Sequence, residues 1–174
     1  GVILRKTSYV LTMIEMELVG VRVELPGPTP IVLLKENNER GLLLPIFIGR
    51  SEANAIDMAL RDQEPPRPLT HDLFKIALDQ LEAELTKVVV TEISDKTFFA
   101  ELHLATKNGD LQISSRPSDA IALAMRMQSP IYVEEDVLDK AGYILKDEES
   151  SEPEDNVLSE FRDFLEEVTP DDFI

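Results

Sequence analysis

The 174-residue sequence predicts an α+β fold: a mixed β-sheet built from two strand-strand-strand-helix repeats, with a linking helix and an acidic C-terminal tail ending in a short amphipathic helix. Three observations predict it. Apolar and charged residues alternate with period two in several short runs that Pro, Gly and Asn separate. Alanine- and leucine-rich segments at helical spacing follow those runs. The order of elements then returns further along the chain.

Residues 14–25 set Ile14, Met16 and Leu18 against Glu15 and Glu17, then Val21, Val23 and Leu25 against Arg22 and Glu24. This is a strand, bent at Gly20. Pro26-Gly27-Pro28 is a turn, and Ile31 to Leu34 is a second strand. Asn37-Asn38 and Gly41 turn the chain into a third strand, Leu42 to Ile48. Ser51 is then the expected cap of a helix, with Glu52 in its first turn and alanines at 53, 55 and 59. After Pro65-Pro66-Arg67-Pro68, Thr70 opens a second helix whose expected buried face is Leu73, Ile76, Ala77, Leu78, Leu81 and Leu85. Strands at Val88–Ile93, Phe98–Ala105 and Leu111–Ser115 follow, and Ser118 is the expected cap of a third helix beside Asp119. Ile131 to Val133 adds a short strand, and Asp136 to Gly142 a short helix.

The return is a self-similarity at an offset of 67 residues. Ser51 meets Ser118, Glu52 meets Asp119, Ala53 meets Ala120, Ala55 meets Ala122, Ile56 meets Leu123 and Met58 meets Met125. Together with the matching order of elements, this points to a duplicated unit joined by the helix that opens at Thr70. It also expects two helix N-termini, each with a hydroxyl and a carboxylate, to be related by a pseudo-twofold.

Composition bounds the function. The chain has no cysteine, which excludes disulfides, thiolate metal sites and cysteine nucleophiles and fits a reducing, cytoplasmic compartment. No apolar run approaches the roughly 18 residues of a spanning helix, so no membrane role is expected. The net charge of −17 is uneven: residues 147–174 hold 12 acidic groups and one basic group, Arg162. The remaining body is still acidic and lacks the basic footprint of a tight nucleic-acid binder.

Four segments follow. Residues 1–13 are a leader before a start near Met13, or an extra edge strand. Residues 14–146 form the domain. Residues 147–156, DEESSEPEDN, are an acidic linker. In 157–174, Val157, Leu158, Phe161, Phe164, Leu165 and Val168 recur at three- and four-residue spacing. That stripe is an amphipathic helix expected to dock on the body or on a neighbouring subunit.

The residues able to carry chemistry gather at helix starts. His71 follows a proline-stiffened loop, where a helix N-terminus favours both a bound anion and a neutral imidazole that ligates a metal or acts as a base. The alternative makes His71 and Asp72 ordinary first-turn residues with Thr70 as the cap. Arg116 would grip a phosphate or pair with an internal acid. Glu52, Asp72 and Asp119 are three carboxylates at helix starts, which with a substrate phosphate would suit Mg²⁺ or Mn²⁺; equally, they complement helix dipoles without any metal. His103 alternates with Leu102 and Leu104 in a strand and is expected to face solvent. No nucleotide-binding glycine fingerprint is present, so no organic cofactor is implied.

The segments GVRVELPGPTPIVLLKE, LLLPIFIGRSEANAI, EPPRPLTHDL and SSRPSDAIALAMR resemble the bifunctional nuclease domain family, also called DUF151, over about residues 14–145. PPRPLTHDL and SRPSDAIALA are specific as a pair. EFRDFLEEVTPDDF resembles the C-terminal extension of actinobacterial, hence bacterial, members. The resemblance implies an α+β fold and, for some members, nuclease activity on RNA and DNA. The matching positions are Glu52, Arg67, Thr70, His71, Asp72, Arg116, Ser118 and Asp119.

The expected function is therefore metal-assisted phosphodiester hydrolysis. Asp72, Glu52 and Asp119 would hold Mg²⁺ or Mn²⁺ and, with His71 as base or ligand, form the catalytic set. Arg67, Thr70, Arg116 and Ser118 would hold a substrate of RNA or single-stranded DNA. A homo-oligomer is expected. The competing expectation is a non-catalytic binding or regulatory oligomer with an anion- or partner-binding pocket at the helix N-termini. Unpaired carboxylates in a wet cleft would favour the first, and hydrogen-bonded ones the second.

Overall fold

A computed structural model describes residues 12–23 and 27–144. The segment before residue 12, the acidic linker from 147 and the amphipathic stripe of 157–174 lie outside them. Seven strands form one sheet: β1 (Met13–Val23), β2 (Pro30–Glu36), β3 (Leu43–Phe47), β4 (Glu84–Ser94), β5 (Thr97–Thr106), β6 (Gly109–Ser115) and β7 (Ile131–Glu134). Four helices accompany them: α1 (Arg50–Leu60), α2 (Thr70–Gln80), α3 (Pro117–Met127) and the short α4 (Glu135–Ala141). The fold is the mixed α+β architecture expected.

The strand order is β3-β2-β1-β7-β4-β5-β6. Each antiparallel three-strand meander is followed by a helix, and β7 is inserted between the two meanders. β7 runs antiparallel to β1 and parallel to β4. The two meanders thus lie on either side of β7. The bend expected at Gly20 appears as a register shift in the β1–β2 ladder between Leu18 and Gly20. Asp95 and Lys96, both at positive φ, close the β4–β5 hairpin in two residues, as a primed turn requires.

The core lies on the helix-covered face. Val32, Leu34, Leu44 and Ile46 from the first meander meet Val88, Val90, Leu102 and Leu104 from the second, with Val133 between them. Ile56 of α1 and Ile121 of α3 cap this layer and are fully buried. Small residues let the two helices approach: Ala53 and Ala55 on α1, and Ala120, Ala122 and Ala124 on α3, are all buried. A smaller cluster of Ile31, Leu33 and Leu43 sits apart, with Phe47 and Tyr143 against it.

The expected caps are displaced. Gly49 is the N-cap of α1 and Arg116 that of α3, so Ser51 and Ser118 fall inside their first turns. Pro117 takes the first helical position, where its missing N–H costs nothing. The expected buried face of α2 is also corrected. Within α2 only Leu78 is buried, whereas Leu73 is 59% exposed, and Ile76 and Ala77 are exposed too. Leu81, just past the helix, is 75% exposed. Leu85 is buried, but as part of β4. α2 leans on α3 by one edge and leaves most of its apolar stripe open.

Candidate active site at three helix starts

Counting from the observed helix starts, Glu52, Asp72 and Asp119 each occupy the third helical position. Carboxylates are favoured there, because the first turn has unbonded N–H groups and the positive end of the dipole. The three helices bring these starts into contact, and α3 is the hub.

Arg116 joins α1 to α3. Its Nε donates to Asp119 Oδ2 at 2.7 Å and its Nη2 to Glu52 Oε1 at 2.9 Å. His71 joins α2 to the same hub, with Nε2 2.9 Å from Asp119 Oδ1. Glu52, His71, Arg116 and Asp119 therefore form one continuous cluster. Burial alone would push the Asp119 carboxyl up, but the Arg116 and His71 hydrogen bonds outweigh it and hold the group below the ordinary carboxylate range. The two carboxylates raise the Arg116 guanidinium further, so it stays charged.

Asp72 is turned to another task. Its Oδ1 accepts from Arg126 Nε at 2.8 Å and its Oδ2 accepts from the Leu69 N–H at 3.0 Å. The second bond caps α2, a role expected for Thr70. Desolvation raises Asp72, yet the Arg126 and Leu69 bonds prevail and leave it depressed. Arg126 also donates to the Ala122 carbonyl at 3.0 Å. His71–Asp119 and Asp72–Arg126 thus clasp α2 to α3 with two neighbouring side-chain hydrogen bonds.

Ser118 is buried and lines a cavity of about 490 Å³ that extends from Arg116 to Gly49 and Arg50 at the start of α1. Arg67 and Thr70 are exposed, and their side chains make no hydrogen bond among the described residues. His103 is apart from this region, in β5, with Nε2 3.3 Å from Glu101 Oε2. Sequence reasoning misses two cations. Arg126 shares a face of α3 with Asp119 and Ala122, and its spacing of four from Ala122 is legible in the sequence. Arg50 stands at the first position of α1, a basic residue where the dipole favours an acid.

The donor set does not fit a shared divalent cation. Both oxygens of Asp119 and both of Asp72 already accept hydrogen bonds, and they face different arginines. Among the described residues no group of three or more His, Asp and Glu side chains is placed to hold an ion. The expected union of Glu52, Asp72 and Asp119 is thus not formed in this arrangement. No helix of the described residues is long and apolar enough to cross a membrane.

The bifunctional nuclease domain profile matches residues 32–146. An uncharacterized protein of Mycobacterium tuberculosis is 44% identical over 164 residues, covering 91% of this chain and 97% of its own length. Bifunctional nuclease 2 of Arabidopsis thaliana is 33% identical over 111 residues, 62% of this chain and 33% of the plant protein. Bifunctional nuclease 1 of Oryza sativa is 28% identical over 116 residues, 65% of this chain and 35% of its own length. The match to the plant nucleases is thus confined to a domain-sized part of them. On the profile match and these relatives, the chain belongs to the bifunctional nuclease domain family.

Proposed function

We propose that this protein is a nuclease that hydrolyses phosphodiester bonds of RNA and single-stranded DNA where the starts of α1, α2 and α3 meet. The observation that carries the reading is the 2.9 Å contact between His71 Nε2 and Asp119 Oδ1 beside the Arg116 guanidinium. With Nε2–H donating to Asp119, Nδ1 is the basic nitrogen, and it has no hydrogen-bond partner among the described residues. His71 takes a proton from the attacking water through Nδ1. Asp119 orients the ring and balances the charge that the imidazole gains. Arg116 is 63% exposed and offers its remaining N–H groups to the charge that builds on the phosphate. The plant relatives named as nucleases support the reaction class.

The test is cleavage of labelled single-stranded RNA and DNA with Mg²⁺, Mn²⁺ or EDTA. His71→Ala, shown by circular dichroism to be folded, should lose on the order of 10²-fold or more in rate, as removal of a general base does. Activity that survives this substitution overturns the site. Cleavage abolished by EDTA overturns this division of labour, because a cation would have to displace Arg116 from Glu52 and Asp119.

One observation favours a second reading. All three helix-start carboxylates are bonded to guanidinium groups, which is how a structural clasp in a binding module would look. Intact RNA and DNA after incubation with wild-type protein would select it. Under either reading we propose self-association through the exposed stripe of Leu73, Phe74 and Leu81 along α2 and its end. Light scattering should then give a mass above that of one chain, and Leu73→Lys with Leu81→Lys should lower it.

A further inference from the structure

The cavity between the starts of α1 and α3 carries more than the cluster at its rim. Its approximate volume of 490 Å³ is within the range of small-ligand sites. Pro28, Pro30, Ile46 and Phe98 supply apolar wall, and the polar groups gather at one end. There the first turns of two helices converge, each with N–H groups that have no carbonyl partner within the helix.

Two further observations mark that end as a place for an anion. Ser118 is only 6% exposed and lines the cavity, yet its hydroxyl has no hydrogen-bond partner among the described residues. A hydroxyl that opens on a cavity with no protein partner can donate to or accept from a ligand that reaches it. Arg50 lines the same cavity at the first position of α1 and makes no ion pair among the described residues. A cation there opposes the helix dipole and is stabilised by an anion placed between the two.

The charge balance limits the ligand. Arg116 is already committed to Glu52 and Asp119, so Arg50 is the lining cation that has no acid partner among the described residues. That leaves room for one phosphate group rather than a polyphosphate.

We propose that this cavity binds one nucleoside monophosphate unit, its phosphate held by Arg50, the Ser118 hydroxyl and the first-turn N–H groups of α1 and α3, and its base against the apolar wall. The proposal rests on the nuclease reading for the ligand's origin in a nucleic acid chain, and it makes the cavity a subsite for the nucleotide next to the bond cleaved. It also separates recognition from His71, which does not line the cavity.

Calorimetric titration with adenosine 5′-monophosphate, adenosine, inorganic phosphate and adenosine triphosphate tests it on the full chain. The monophosphate should bind at least tenfold more tightly than adenosine or inorganic phosphate, and more tightly than the triphosphate. Arg50→Gln, at an exposed position, should weaken the monophosphate about tenfold and leave adenosine unchanged. Ser118→Ala should weaken it by a smaller factor, and His71→Ala should leave it as it is. Equal binding of adenosine and its monophosphate, or monophosphate binding indifferent to Arg50→Gln, overturns the subsite. Monophosphate binding in a protein that cleaves nothing keeps the subsite and removes the nuclease reading. Cleavage without monophosphate binding does the reverse.

Discussion

Asp72→Ala should destabilise the protein by about 3 kcal/mol, and the structure sets out the parts of that figure. Asp72 is 25% exposed and its partner Arg126 only 8%. Removing one member of a fully buried pair costs roughly 3–5 kcal/mol, and the partial exposure of Asp72 brings this to about 2 kcal/mol through solvent screening. The bond to the Leu69 N–H adds about 1 kcal/mol as a lost helix cap. Arg126→Met keeps most of the aliphatic stem packed and leaves Asp72 with its cap and some solvent, so it should cost only about 1–2 kcal/mol. In the double variant no guanidinium is left without its acid, and the coupling energy should be about 1–2 kcal/mol. Urea unfolding followed by far-ultraviolet circular dichroism is the assay, since the chain has no tryptophan. With a slope of about 2 kcal/mol per molar, Asp72→Ala moves the midpoint down by about 1.5 M. A cost below about 0.5 kcal/mol, or strictly additive substitutions, would show that the α2–α3 clasp does not hold the helices together.

Acidification and burial supply two further outcomes. Asp119, Asp72 and Glu36 all have depressed carboxyls; for each, burial pushes upward and the bonds to Arg116, Arg126 or Arg40 prevail. Their stability contribution is complete above the ordinary carboxylate range and is lost as pH falls through their lowered values, so urea midpoints should drop steeply below about pH 4. A midpoint that rises on acidification would contradict this. Glu134 has the opposite sign: burial raises its carboxyl, nearby Glu101 adds to the rise, and its Oε2 has no hydrogen-bond partner among the described residues. Glu134→Gln should therefore raise the melting temperature at pH 7 and change it little at pH 4, as thermal scans at the two values would show.

Much of the fold is legible in short patterns, and most of the site is not. Alternation in residues 14–25 marks β1 because one face of that strand is buried, and the bend at Gly20 follows from the missing side chain. The place of β7 between β1 and β4 is another matter, because Ile131 pairs with Met16 and Val88, both far away in the chain. Periodicity in α2 identifies an apolar stripe but not what covers it, so Leu73 and Leu81 are expected inside and lie outside. Ser51 and Ser118 look like caps by residue type, yet the extended backbone of Gly49 and Arg116 starts those helices earlier. The candidate residues are visible because PPRPLTHDL and SRPSD stand at helix starts. Their pairing is not: His71 and Asp119 are 48 residues apart, and Asp72 and Arg126 are 54 apart, distances about which local spacing says nothing.

Two carboxylates bonded to one guanidinium need not act alike, and Arg116 offers a way to separate them. Among the described residues Glu52 makes its side-chain hydrogen bond to Arg116, so it competes with a substrate phosphate for that cation. Asp119 touches Arg116 and His71 together, so its loss also frees the imidazole that moves the proton. Neutralising Glu52 leaves the His71–Asp119 contact in place and releases one N–H direction of Arg116 toward the phosphate. Glu52→Gln should therefore lower KM for RNA severalfold with kcat nearly unchanged. Asp119→Asn should instead lower kcat on the order of 10²-fold or more, because the ring loses the group that orients it and balances its charge. Unfolding midpoints measured beside the kinetics show whether either variant merely loosens the helices. If both substitutions depress kcat equally, in proportion to lost stability, the node is a clasp and the proton chemistry belongs elsewhere. Separate effects on KM and kcat are what a mechanistic division between the two carboxylates requires, and a purely structural ion network has no means of producing them.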